Sequence, residues 1–280
     1  MFERRLGLFP IFFDKDGVMY TYTGFGDFPF KVPTKKINNP EELFPQWMLL
    51  SYNKPVEVSS ELADHPKHYA ADEEIRTFWS AKTGNKGEWI SMDLQKECTV
   101  NAVQVNYAEN GTKLFGRNPE IYYQYLLEYS SDNKTWKTLA DKTQSKTDVP
   151  HDYIELTTPI KTRYIKLTNV RMPDGTFALA GLRIFGNGGG QAPVKVANFG
   201  VTRQESDKCV VKLKWNKQSD AVGYNIRYGI QKDKLYHNYQ VIGSDSVTIR
   251  SLLSPSNYYF TIDAFNENGI TKGTDVIEVN

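Results

Sequence analysis

Apolar residues in this chain recur with a period of two. In residues 89–94, Ile90, Met92 and Leu94 alternate with Trp89, Ser91 and Asp93, which sets three aliphatic side chains on one face of a strand. Residues 99–107 and 162–168 alternate in the same way, and residues 177–186 form another apolar strand. Residues 125–136 read as a strand, a tight turn at Asp132-Asn133 and a second strand that Trp136 opens. Further on, Val211, Leu213 and Trp215 alternate into one core with Tyr224, Ile226 and Tyr228, and Tyr258, Phe260, Ile262 and Ala264 form a matching face. No helical period of useful length occurs. An all-β chain of antiparallel sandwiches is predicted.

Turn and linker residues divide the pattern. Residues 6–13 and 18–23 predict a β-hairpin around Asp14-Lys15-Asp16-Gly17. A lone hairpin is marginal in water. Phe9, Phe12, Phe13, Tyr20 and Tyr22 are too many aromatics to leave solvated, so this hairpin is expected to pack on the next domain or on another copy of the chain. Pro33, Pro40 and Pro45 make residues 30–46 an extended connector. Four glycines in residues 186–190 and Pro193 mark a linker. The expected organisation is a hairpin and connector over 1–46, a domain over 47–187, a linker over 188–193 and a domain over 194–280.

Composition narrows the function. With 34 basic and 33 acidic residues, nothing favours nucleic acid or an anionic membrane. No apolar run is long enough to span a bilayer. The high aromatic content, 13% with 17 tyrosines, suits β cores and stacking surfaces. A short apolar run near the start is broken by Pro10 and Asp14, unlike a secretory leader, so the sequence is either cytosolic or begins inside a larger gene product. Cys98 and Cys209 fall in different domains and are expected to be free and buried on strands. The four histidines have no metal-ligand spacing with a cysteine. In residues 1–46, Glu3, Asp14, Asp16, Asp27, Glu41 and Glu42 show no paired setting suited to acid–base catalysis. No Ser-His-Asp order or phosphate loop stands out, so a non-catalytic chain is expected.

Residues 72–94 resemble the signature of discoidin domains, the coagulation-factor type C modules that overlap family 32 carbohydrate-binding modules. Asp72, Thr77 and Trp79, followed after a loop by Trp89-Ile90-Ser91-Met92-Asp93-Leu94, are similar to Ala-x-Asp-Gly-Asn-x-x-Thr-x-Trp and its partner strand at the same spacing. Residues 125–136 and 177–186 resemble the later strands. Residues 194–280 resemble a fibronectin type III domain, an immunoglobulin-like sandwich, with Leu252 and Tyr258 where such domains place their tyrosine corner. Residues 4–29 resemble the last strands before the accessory region of family 43 glycoside hydrolases of the β-xylosidase and arabinofuranosidase kind. The resemblances imply a discoidin-like (galactose-binding-like) sandwich followed by a fibronectin type III sandwich.

They also imply sites. In the discoidin pattern a structural calcium ion is held at positions that Asp72, Glu74 and Thr77 match; the closing-strand Glu corresponds to Gly181, and the usual Gly is Glu73. A hydrogen-bonded turn without metal is the alternative. Family 32 modules stack galactose-type sugars on an aromatic before the closing strand, here Phe177, and use an arginine whose nearest match is Arg117. The His that often follows the tryptophan is absent, since Ser80 and Ala81 follow Trp79. As a rim residue, Phe177 is expected to support little core. The implied function is the non-catalytic, carbohydrate-binding region of a secreted or periplasmic glycan-degrading enzyme. Its partners are a plant or host glycan and a catalytic propeller. The alternative is an adhesion or protein-interaction module.

Overall fold

The computed structural model describes residues 9–21, 24, 25, 28–37, 39–114, 116 and 118–280. The chain is all-β and divides into two compact units, Met48–Gly189 and a second that joins Met1–Trp47 to Gly190–Asn280.

Near the start, β1 (Ile11–Phe13) and β2 (Met19–Thr21) pair antiparallel. Asp14 builds the turn between them, its carboxylate accepting from the N–H groups of Asp16 (2.8 Å) and Val18 (2.9 Å). Gly17 supplies the left-handed residue at φ +77°. The outer ends of the expected hairpin, residues 6–8, 22 and 23, lie outside the described residues. The connector is not wholly extended. Pro40–Leu43 form a 3-10 turn with Asn39 at its N-cap and Glu42 closing a capping box.

In the Met48–Gly189 unit the strands are β3 (Met48–Leu49), β4 (Val56–Val58), β5 (Trp79–Ser80), β6 (Trp89–Tyr107), β7 (Gln124–Ser130), β8 (Lys137–Asp141), β9 (His151–Arg171) and β10 (Ala178–Asn187). Their order is β3-β10-β6-β9-β7-β8, with β4 added to β6 and β5 to β10. The two longest strands, β6 and β9, pair antiparallel with register shifts at Asp93/Cys98 and Val100/Ala102. Such irregularities bend a strand and let one long segment serve two parts of a sandwich. The expected alternation holds: Ile90, Met92 and Leu94 are fully buried in a core with Val103, Leu127, Leu167, Leu182 and Ile184. Asp93, on the opposite face, is gripped by the Arg163 guanidinium at 2.7 and 2.8 Å.

The remaining strands are β11 (Gly200–Arg203), β12 (Val211–Lys214), β13 (Gly223–Gly229), β14 (His237–Ile242), β15 (Ser246–Ile249), β16 (Tyr258–Asn266), β17 (Gly269–Thr271) and β18 (Ile277–Val279). One sheet runs β11-β12-β15 and the other β14-β13-β16-β17, with β18 also on β16. Val211, Leu213, Trp215, Ile226 and Phe260 meet between them. The Tyr258 hydroxyl accepts from the Leu253 N–H at 3.0 Å. Arg203, buried, donates to the carbonyls of Lys208, Ser256 and Leu253 at 2.6–2.7 Å and fastens the loop before β16.

The hairpin's partner differs from expectation. It packs on this second sandwich, within the same unit. Tyr20 stacks on Tyr236 with centroids 4.1 Å apart and planes at 8°. Asp14 accepts from the Tyr236 hydroxyl (2.8 Å) and from Lys234 (2.9 Å), which also pairs with Asp16 (2.6 Å). Phe25 meets Phe265 edge-on. Both cysteines are free; Cys98 is buried in β6, whereas Cys209 is half-buried in a turn rather than on a strand.

Candidate functional site

The acidic turn before β5 closes on itself. The Asp72 carboxylate accepts from the Glu74 N–H (2.9 Å) and the Thr77 hydroxyl (2.8 Å), and Thr77 Oγ1 also lies 3.0 Å from the Glu74 carbonyl. Glu73, where glycine is usual, takes the left-handed conformation at φ +59°. Its carboxylate receives Arg183 Nε at 3.0 Å and Nη2 at 2.9 Å. One carboxylate, one hydroxyl and one carbonyl thus converge, short of the six to eight oxygens calcium takes. Gly181 adds no oxygen from its side chain, and a guanidinium stands beside the turn. The donor set does not fit a calcium shell. Among the described residues no cluster of three His, Cys, Asp or Glu side chains is placed to hold a metal.

Phe177 is not a rim residue. It is fully buried, with Trp79 edge-on at 5.2 Å and Tyr107 at 6.3 Å, so it offers a sugar no face. Burial follows from the backbone: the Phe177 N–H donates to the Thr83 carbonyl and its own carbonyl accepts from Ala81, which sews the residue into the sandwich. Arg117 lies outside the described residues.

Three loops do meet at this end. Gly175, at φ +72°, comes so close to the 108–114 loop that a Cβ there would lie 2.2 Å from the Asn110 carbonyl. Asn110 Nδ2 donates to Ser80 (3.1 Å) and Thr176 (3.0 Å), and Asp174 accepts from the Leu114 N–H (3.0 Å) and from Lys113. Glu88 is enclosed by the hydroxyls of Ser59, Ser60 and Thr83; burial works to raise its pKa, but these hydrogen bonds outweigh it and hold the carboxyl lower than usual. These contacts join residues 80–88, 108–114 and 172–177 at one end of the sandwich.

Residues 55–181 match the family model described as the F5/8 type C domain. Over this stretch the chain is similar to F5/8 type C domains. No curated protein matches the chain. Among solved structures, the family 32 module of NanJ from Clostridium perfringens, determined with galactose, is 19% identical, with 50% of this chain and 98% of that one covered and a TM-score of 0.42. Chitosan-binding module 1 of a chitosanase/glucanase from Paenibacillus sp. IK-5 is 23% identical, with 50% and 99% covered and a TM-score of 0.41.

At this end of the F5/8 type C-like domain Tyr122 is half-exposed, and the Arg171 guanidinium lies over its ring at 3.7 Å. Arg171 Nη1 donates to the carbonyls of Glu120 (3.1 Å) and Tyr122 (3.0 Å), and Nη2 reaches the Glu120 carboxylate at 3.3 Å. The guanidinium thus covers one face of the Tyr122 ring and is held in place by two carbonyls and the Glu120 carboxylate. The family pattern points to Phe177 and does not single out these residues. The available signal was the Tyr122-Tyr123 pair at the entry to β7, with an arginine at the end of β9.

Asp14 of the N-terminal segment is shifted in the direction opposite to that of a catalytic acid. Burial works to raise the Asp14 pKa, but Lys234, the Val18 N–H, the Tyr236 hydroxyl and the Asp16 N–H outweigh it and hold the carboxyl well below its usual range. A general acid needs the opposite shift. Glu3 and Asp27 lie outside the described residues.

Proposed function

We propose that the F5/8 type C-like domain binds neutral sugars at the Tyr122–Arg171–Glu120 rim and that the chain is the accessory region of a glycan-degrading enzyme. The observation that carries this reading is the family match over residues 55–181, because F5/8 type C domains overlap carbohydrate-binding modules. The rim chemistry supports it. We further infer that the second sandwich is a fibronectin type III spacer, supported by its three-plus-five strand arrangement and by the Tyr258 hydroxyl bond to the loop backbone. A family 43 catalytic propeller before the hairpin fits the exposed apolar face of Ile11, Phe13 and Met19, which a further domain would cover. Such an enzyme works outside the cytoplasm. Among the described residues no helix is long and apolar enough to cross a membrane.

One small ring face and a few solvent-competed hydrogen bonds leave about 4–5 kcal/mol, an affinity near millimolar. Weak binding suits a module that raises the local concentration of a tethered catalyst. The test is an NMR titration with galactose, xylose, arabinose and their oligomers. Amides of residues 120–122 and 171–174 should move and saturate, and Arg171→Ala together with Tyr122→Ala should abolish the response. Resonances that stay still at tens of millimolar would remove the sugar reading and favour a protein-interaction module.

A further inference from the structure

The sheet β11-β12-β15 of the second sandwich presents a cationic outer face. Its strands alternate, so Val211 and Leu213 enter the core while Lys212 and Lys214 are exposed on the other side. In register with these lysines stand Thr202 and Gly200 on β11 and Thr248 and Ser246 on β15. Arg250, exposed directly after β15, adds a third cation. None of the three strands carries an acidic residue. Among the described residues, Lys212, Lys214 and Arg250 pair with no carboxylate.

Cations on the other sheets are matched. Lys166 pairs at 3.4 Å with Glu128 directly opposite it, and Arg163, Arg183 and Arg227 pair with Asp93, Glu73 and Asp263. Structural reasons for Lys212 and Lys214 are lacking by contrast. β12 is the central strand of its sheet, so these lysines guard no open edge. They lie about 6.8 Å apart along the strand and repel, with no opposite charge beside them. The whole chain carries a net charge of only +1, so three unmatched charges on one small face are a local concentration.

We infer that this face binds an acidic polysaccharide whose carboxylates repeat along an extended chain. The site lies on the second sandwich and is independent of the sugar rim proposed above. Charge complementarity sets the sign of the ligand. Exposed ion pairs are individually weak, so a single small anion is not held; a chain that meets three cations on two neighbouring strands gains from every contact. The hydroxyls of Thr202, Ser246 and Thr248 flank the lysines and both donate and accept, which matches sugar hydroxyls between the carboxylates. Val201 and Val247 pack against the core, so the outward side of these strands offers no apolar side chain to enter a bilayer and no ring on which a base would stack. That composition favours a polysaccharide over a membrane or a nucleic acid.

The experiment titrates the full chain with oligogalacturonates and follows backbone amides by NMR. Neutral galactan, polyglutamate, double-stranded DNA and vesicles of phosphatidylcholine and phosphatidylserine serve as comparisons. Amides of residues 200–202, 212–214 and 246–250 should shift with oligogalacturonate and saturate. Raising the salt from low to physiological strength should weaken binding about tenfold, because screening shortens the reach of exposed charges. Lys212→Gln together with Lys214→Gln should weaken it by about tenfold or more, with resonances away from the face unmoved as the sign of an intact fold. Lys212→Glu together with Lys214→Glu should abolish it. Silence at these amides overturns the inference, and so do undiminished binding in the glutamine variant or an equal response of this face to neutral galactan. Preference for polyglutamate, DNA or the vesicles overturns it too and assigns the face to that partner. Shifts confined to residues 120–122 and 171–174 would remove this site and leave the rim reading standing.

Discussion

Phe177 meets the indole of Trp79 edge-on, centroids 5.2 Å apart and planes at 85°, and both rings are fully buried. The aromatic that the family pattern assigns to a ligand is therefore part of the core. Phe177→Ala should destabilise the F5/8 type C-like domain by about 3–5 kcal/mol, the usual cost of emptying a buried phenylalanine site. Urea melts read by tryptophan fluorescence would measure it. A loss below about 1 kcal/mol would mean the ring lies near solvent.

The link between Asp14 and Lys234 predicts how hairpin docking responds to pH. Asp14 has its folded pKa depressed below the ordinary 3.8, so its contribution is complete above that value and is lost as pH falls through the folded one. Lys234 has its folded pKa raised above the ordinary 10.5 by Asp16 and Asp14, so its contribution is complete below that value and is lost as pH rises through the folded one. Contact between Tyr20 and Tyr236, followed by NMR, should be constant between these limits and weaken beyond each. Lys234→Met should flatten both limbs; an unaltered profile would place the pH response elsewhere.

Arg183 offsets the cost of a left-handed glutamate. Arg183→Ala leaves the Glu73 carboxylate at 20% side-chain exposure without its guanidinium and should cost about 1–3 kcal/mol. Glu73→Gly removes the pair but also the backbone strain, so its melting temperature should fall less. Melting curves in calcium and in chelator should superimpose, since one carboxylate, one hydroxyl and one carbonyl do not make a shell. A calcium-dependent rise abolished by Asp72→Ala would restore a metal role to the turn.

Arg203 in the second sandwich should not tolerate lysine. One ammonium lacks the planar fork that reaches the carbonyls of Lys208, Leu253 and Ser256 together. Arg203→Lys should lower stability by about 1–3 kcal/mol, and amide exchange should quicken first in residues 252–257. Uniform exchange rates would show that the loop does not depend on the arginine.

Much of the fold was legible along the chain. Ile90, Met92 and Leu94 declared a half-buried strand because the side-chain period of two survives only when one face meets a core. Trp215, Tyr224 and Phe260 declared the second sandwich for the same reason, and Asp14 with Gly17 declared a turn through chemistry local to four residues. The site was less legible. Phe177 stands one residue before β10, and its sequence neighbours are the same whether the ring points to solvent or into the core.

What the sequence determined by itself is whatever depends on near neighbours: strand periodicity, turns, the glycine linker and the balance of charge. The tertiary structure decided the rest. Tyr20 finds Tyr236 and Glu73 finds Arg183 only after strands far apart in the chain have been brought together, the second pair across 110 residues. Burial of Phe177 depends likewise on hydrogen bonds to Ala81 and Thr83 and on the shelter of Trp79. A side chain's role is set by the field and packing of neighbours within a few ångströms, and in an antiparallel sandwich most of those neighbours are remote in sequence.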